Sequence, residues 1–167
     1  MLEILLCNLT VDGIVRASNV VSADSDNTTK NITSIVDGTH YWNVTCADNA
    51  GNVNTSQTWK FDSDTTPPTV TLNTPSSGSF TNKNPLNLNI TATDAHAIVN
   101  CSIYLDGSLN ATLTNITSGV MTNLTIAGLS QGLHRWNATC IDSFNYRGDA
   151  ATRNITYDTG LPQVIFQ

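Results

Sequence analysis

Gly38-Thr39-His40-Tyr41-Trp42-Asn43-Val44-Thr45-Cys46-Ala47-Asp48 and Gly132-Leu133-His134-Arg135-Trp136-Asn137-Ala138-Thr139-Cys140-Ile141-Asp142 are the same pattern written twice. The two stretches lie 94 residues apart, and the same ungapped shift aligns much of the chain around them. Cys7 falls on Cys101, Asp12-Gly13 on Asp106-Gly107, Asp64-Thr65 on Asp158-Thr159, Pro68 on Pro162 and Val70 on Val164. Linkers repeat along with apolar positions, so the two copies are read as structural units of one kind.

The complete copy runs from about Pro68 to Thr159 and reads as strands throughout, with no helical segment. Val70 to Leu72 is predicted as strand A. Leu86, Leu88, Ile90 and Ala92 alternate with polar residues as strand B. Cys101, Ile103 and Leu105 form the inward face of strand C, and Asp106-Gly107 supplies a tight hairpin turn that tolerates positive φ. A short strand follows near Leu109 to Leu113. Leu124 and Ile126 mark strand E, Trp136, Ala138 and Cys140 strand F, and Ile155 with Tyr157 strand G. Seven short strands with turn residues between them indicate a two-sheet sandwich. The fold class expected is therefore all-β, with two tandem sandwich units. Residues 1–66 are expected to be an incomplete unit of strands C to G, because Leu5-Leu6-Cys7 maps onto Val99-Asn100-Cys101 and strands A and B are missing. Residues 67–160 are the complete unit. Residues 161–167 map onto the beginning of a strand A, which makes Val164, Ile165 and Phe166 a candidate donor strand.

With 167 residues, 40% of them apolar, the chain can build a core. Only 12% are charged and the net charge is −6, so no basic footprint for nucleic acid is present. No run reaches the roughly 20 apolar residues of a membrane helix, and Met1 to Leu6 is too short for a secretion signal. An exported protein would need that signal removed or upstream. Cys7 and Cys46 have the same spacing as Cys101 and Cys140, so of the three pairings open to four cysteines the repeat selects two equivalent intradomain disulfides. Each would stabilise its unit by about 4 kcal/mol on the chain-entropy model, and both imply an oxidising compartment. Sequons Asn-x-Ser/Thr occur at Asn8, Asn27, Asn31, Asn43, Asn54, Asn89, Asn100, Asn110, Asn115, Asn123, Asn137 and Asn154. Such a composition would give only about four or five by chance, so the excess points to use as N-glycan acceptors. In Asn43-Val44-Thr45, as in Asn137-Ala138-Thr139 and Asn154-Ile155-Thr156, alternation turns the middle residue inward and the acceptor outward.

These elements resemble the prokaryotic immunoglobulin-like repeats of archaeal and bacterial surface proteins. The resemblance rests on Cys101 to Asp106-Gly107, on Gly132, Trp136 and Cys140, on Asp48-Asn49-Ala50-Gly51-Asn52 and on the linker Asp64-Thr65-Thr66-Pro67-Pro68. The dense sequons make it look more like an archaeal surface glycoprotein. Such repeats serve as spacers, adhesin stalks, filament subunits and enzyme appendages, so the resemblance implies a module and no single function. Trp42 and Trp136 depart from the antibody pattern by lying four residues before the second cysteine, which leaves open a bridge between the neighbouring strands C and F.

No catalytic residue is expected. His40 and His134 are copies of each other, and a catalytic histidine should belong to one cleft. Asp48, Asp94, Asp106 and Asp142 sit at turns without an EF-hand loop, so they are read as turn formers and no metal site is assigned. No phosphate loop, nucleophile elbow or zinc-protease motif occurs, and no cofactor is expected beyond covalent N-glycans. The function expected is that of a structural subunit of an extracellular, N-glycosylated surface filament. Its partners are copies of itself, joined head to tail by insertion of the tail into the incomplete unit. A tandem adhesin or surface-layer stalk is the alternative. A carbohydrate-binding appendage would need a row of exposed aromatics, for which Trp59 and Tyr146 are the candidates.

Overall fold

The structure, a computed structural model, describes residues 4–23 and 27–164. It comprises two compact units, Met1–Asp64 and Thr65–Gln167. Every regular element among the described residues is a strand.

The first unit is one antiparallel sheet of β1 (Ile4–Val11), β2 (Ile14–Ala23), β3 (Gly38–Ala47), β4 (Val53–Thr55) and β5 (Trp59–Ser63), ordered β2-β1-β3-β4 with β5 also on β3. Asp12 and Gly13 take φ of 50° and 76° between the directly paired Val11 and Ile14. Two consecutive left-handed residues twist the hairpin the way its strands twist, which is why Asp-Gly suits this position. Asp106 and Gly107 do the same in the second unit, at 52° and 80°.

The second unit adds β6 (Thr69–Thr74), β7 (Ser79–Thr81), β8 (Leu86–Thr93), β9 (Ile98–Leu105), β10 (Ser108–Thr114), β11 (Met121–Ile126), β12 (Gly132–Asp142), β13 (Arg147–Asp149) and β14 (Arg153–Tyr157). One sheet has the order β10-β9-β12-β14-β7 with β13 on β12, and the other has the order β11-β8-β6. Alternate residues of the two inner faces meet in a single core. Leu86, Leu88, Ile90 and Ala92 from β8 pack with Cys101, Ile103, Trp136, Ala138, Cys140 and Ile155. Full burial of each large aliphatic side chain contributes about 1.5–3 kcal/mol, so β8 is a main source of the unit's stability. This is the immunoglobulin-like sandwich, with strands A to G as β6, β8, β9, β10, β11, β12 and β14.

Both disulfides lie within a sheet. Cys7 faces Cys46 across β1 and β3, and Cys101 faces Cys140 across β9 and β12, with Cα separations of 4.0 and 4.1 Å. The bridges therefore join neighbouring strands C and F and leave the two sheets of the sandwich without a covalent tie.

The structure differs from the sequence reading in two places. The short strands β4, β7 and β13 were not expected; β4 and β13 are repeat counterparts, and β7 carries the chain from the second sheet to the first, where it pairs in parallel with β14. The first unit, expected to hold strands C to G, has no strand E. Residues 27–32, the counterparts of β11, lie in coil. In the second unit β11 pairs only with β8, and among the described residues the first unit has no counterpart of β8. Without a ladder partner the segment does not become a strand.

Gly148, opposite Cys140, passes directly over the Pro68 carbonyl, and a Cβ there would collide with that backbone oxygen. Gly148→Ala is expected to destabilise the second unit by about 1–3 kcal/mol through overpacking, read as a lower urea midpoint for that unit's transition.

Candidate functional site

The histidines are built into matching locks. His40 Nδ1 lies 2.6 Å from Asp12 Oδ2 and its Nε2 lies 2.8 Å from the Val36 carbonyl. His134 repeats the arrangement with Asp106 Oδ2 at 2.7 Å and the Ser130 carbonyl at 2.8 Å. The other oxygen of each aspartate accepts a backbone N–H, from Tyr41 and from Arg135. A carbonyl and an ionised carboxylate only accept hydrogen bonds, so both ring nitrogens must donate and each histidine is held as imidazolium. The locks pin each tight hairpin turn to the long strand beside it. Their geometry is that of a tether, with both nitrogens occupied and each imidazole buried.

The turn aspartates act locally. Asp48 accepts the N–H of Ala50 and of Asn52 and the Asn52 side-chain amide. The buried Asp142 accepts the N–H of Phe144 and of Tyr146, and Asp94 that of His96. The Asn52 amide, followed by the backbone bonds, holds the Asp48 carboxyl below its ordinary value. Trp59 stands in the first unit and Tyr146 in the second, so neither unit presents the pair as a row.

The feature that sets the first unit apart is the inner face of its sheet. In the second unit Ile103, Trp136, Ala138 and Ile155 are at most 1% exposed, covered by the β11-β8-β6 sheet. Their repeat counterparts Leu9, Trp42, Val44 and Phe61 are only half-buried. Trp59, opposite Trp42 in the β3–β5 ladder, is 52% exposed. A groove of ≈ 430 Å³ runs over this face, bounded below by Cys7, Leu9, Trp42 and Val44 and to one side by Thr28 and Lys30. A second hollow lies between Trp42 and Phe61 and the loop residues Ile32 and Ile35. An apolar sheet face of this kind, flanked by loop residues, is surface whose removal from water would be favourable. The sequence shows it only through the repeat, because Leu9, Val44 and Phe61 look like ordinary core residues.

On β1, β3, β8 and β11 the sequon asparagines alternate with the apolar residues of the inner faces. Asn8-Leu9-Thr10 and Asn43-Val44-Thr45 pair reciprocally, Asn8 opposite Thr45 and Thr10 opposite Asn43. Asn89 stands opposite Asn123 on β8 and β11. Asn27, Asn31, Asn54, Asn110, Asn115, Asn123 and Asn154 are exposed, whereas Asn8, Asn43, Asn89, Asn100 and Asn137 are half-buried. In the tail, Leu161 and Val164 are exposed at 89% and 71% and belong to no strand. Ile165 and Phe166 lie outside the described residues.

Residues 68–138 match the family model of the bacterial Ig domain. Among solved structures, the fibronectin(III)-like modules of CbhA from Clostridium thermocellum are similar at 14% identity, covering 96% of this chain and 83% of that one, with a TM-score of 0.47. Dimeric latent PorU from Porphyromonas gingivalis is similar at 12% identity, covering 91% of this chain and 16% of that one, with a TM-score of 0.42. No curated protein matches the chain.

The two locks dictate a pH profile. The Asp12 bond, then the Val36 carbonyl, raises His40 above its ordinary value of 6.5. The Ser130 carbonyl, then Asp106, raises His134 above the same value. Their contribution is complete below 6.5 and is lost as pH rises through the raised folded values. The His40 bond, then the Tyr41 N–H, lowers Asp12 from 3.8; for Asp106, burial opposes the shift and the bonds from His134 and Arg135 outweigh it. The aspartate contribution is present above 3.8 and is lost as pH falls through the folded values. Arg16 works against the rise at His40, and Arg135 adds to the fall at Asp106. Thermal melts followed by circular dichroism should show stability highest between these values. The double variant His40→Gln, His134→Gln should flatten the alkaline side of the profile.

Proposed function

We propose that this chain is a non-catalytic structural part of an extracellular, N-glycosylated surface assembly, in which the bare inner face of the first unit is completed by strands of the same repeat type. The observation that carries the reading is the contrast between copies. One set of positions is sealed by β6 and β8 in the second unit and left half-open in the first. Covering that face removes apolar surface from water and supplies the missing sheet, so completion is strongly favoured. The disulfides suit an oxidising, extracellular setting. Glycans at the Asn8 and Asn43 sequons of β1 and β3 would stand on the side away from the bare face. Among the described residues no helix is long and apolar enough to cross a membrane.

In the filament form of this proposal the donor is the tail Val164-Ile165-Phe166 of another copy. The contact is head to tail and does not close, so its repetition extends a fibre. A second reading, a tandem stalk of an adhesin or surface-layer protein, is favoured by the linker. Asp158, Thr159 and Pro162 repeat Asp64, Thr65 and Pro68, which lead directly into β6. It is also favoured by the pairing of β6, whose ladder partner is β8. A donor carrying only a strand A covers part of the face, whereas a module carrying A through B covers all of it.

Electron microscopy and analytical ultracentrifugation of the purified chain test the choice. Filaments that disappear on deletion of residues 161–167 support donor exchange through the tail, and filaments that survive the deletion exclude it. Beaded rods or monomers favour the stalk. Intact mass before and after enzymatic deglycosylation of native material should show several occupied sequons; an unmodified mass would remove the glycoprotein part of the reading.

A further inference from the structure

Residues 27–32 hold the position of a strand without being one. In the second unit the equivalent strand β11 lies antiparallel to β8, with Thr122 opposite Ile90, Leu124 opposite Leu88 and Ile126 opposite Leu86. The repeat carries these positions onto Thr28, Lys30 and Ile32. Those three side chains already turn toward the bare face. Thr28, Thr29 and Lys30 line the groove with Leu9 and Trp42, and Ile32 lines the hollow beside Trp42 and Phe61. Asn27 and Asn31 are exposed, as Met121 and Thr125 are at the equivalent outward positions of β11, but Thr28 and Lys30 are exposed as well. The segment thus already lies along the bare face, while the burial alternation of β11 and its ladder are both missing.

We infer that residues 27–32 are a strand that forms on docking. An incoming segment of the repeat running from strand A through strand B, of the kind spanned by Thr69–Thr93, pairs its strand B with residues 27–32. The first unit thereby gains a three-stranded sheet of its own. The inference rests on the completion of the bare face proposed above and adds how the partner is recognised: by backbone pairing along 27–32 together with apolar contact to the sheet beneath.

Two substitutions between the copies tune the fit. Lys30 stands where the second unit has Leu124, so the strand that best suits this unit carries a hydrogen-bond acceptor or acidic group where β8 has Leu88. Trp59 stands where the second unit has Arg153, whose guanidinium donates to the Asn73 and Pro75 carbonyls between β6 and β7 at 2.9 and 2.8 Å. In the first unit the same bend of the partner meets an indole instead. Its backbone carbonyls there must find another donor, and an apolar side chain at the bend is favoured.

The test uses the full chain and a synthetic peptide of its own residues 67–95, with a scrambled peptide as control. Trp42 and Trp59, two of the three tryptophans, lie on the bare face, whereas Trp136 is buried, so the emission reports docking. The expected result is a saturable blue shift with the native peptide alone, accompanied by hydrogen-exchange protection of residues 27–32. Lys30→Pro changes a coil position, so the free protein should melt as before; proline's poor fit in the middle of an antiparallel ladder should weaken peptide binding roughly tenfold. Lys30→Leu should bind the peptide more tightly than the parent. Docking without protection of 27–32, or undiminished in Lys30→Pro, overturns this inference and leaves the proposed function standing. Absence of a blue shift, or an equal shift with the scrambled peptide, overturns both.

Discussion

A central strand holds a three-stranded sheet together. In the second unit β8 pairs with β6 on one side and β11 on the other, and those two have no ladder to each other. Remove the centre and both flanks lose their hydrogen-bonding partner at once. Among the described residues the first unit shows the contrasting case: one sheet without a facing neighbour, and a flank sequence lying as coil along its apolar surface. The coil of residues 27–32 and the half-open face beneath it both follow from the lack of that central strand.

The persistence of the remaining sheet has an equally local cause. The cysteines bridge strands within one sheet, so its central pairing is covalently fixed whether or not a second sheet lies against it. The His–Asp locks act on the same sheet at the hairpin turn, and they too involve no residue of the β11-β8-β6 layer. The retained sheet therefore carries its own fastenings, and the layer opposite it is held mainly by apolar contact.

Much of this was legible in the residues. Period-two alternation located β6, β8, β9, β11, β12 and β14, and the two Asp-Gly pairs located their hairpins, because both signals depend on local backbone geometry. The short strands β4, β7 and β13 carry three residues each and no alternation, so their existence depends on the strands they pair with. The locks escaped notice for the same reason. Asp12 and His40 are separated by 28 positions, and only the pairing of β1 with β3 brings them together. Residues 27–32 misled in the opposite direction, since the repeat marks them as a strand by analogy while strand formation requires a partner that the described first unit does not hold. The bare face itself could be inferred from repeat arithmetic, but its extent was visible only by comparing burial between Trp42 and Trp136 or Phe61 and Ile155.

The placement of the sulfur bridges also governs how a chain of such modules would respond to a pull. Each bridge spans 39 positions of sequence. Under load the polypeptide enclosed between its cysteines cannot pay out, which withholds about 130 Å of extended length per module. Stretching is confined to the segments outside the loop, β6 to β8 at one end and β14 with the linker at the other. A tether made this way lengthens by short, repeatable steps and keeps a folded remnant in every link.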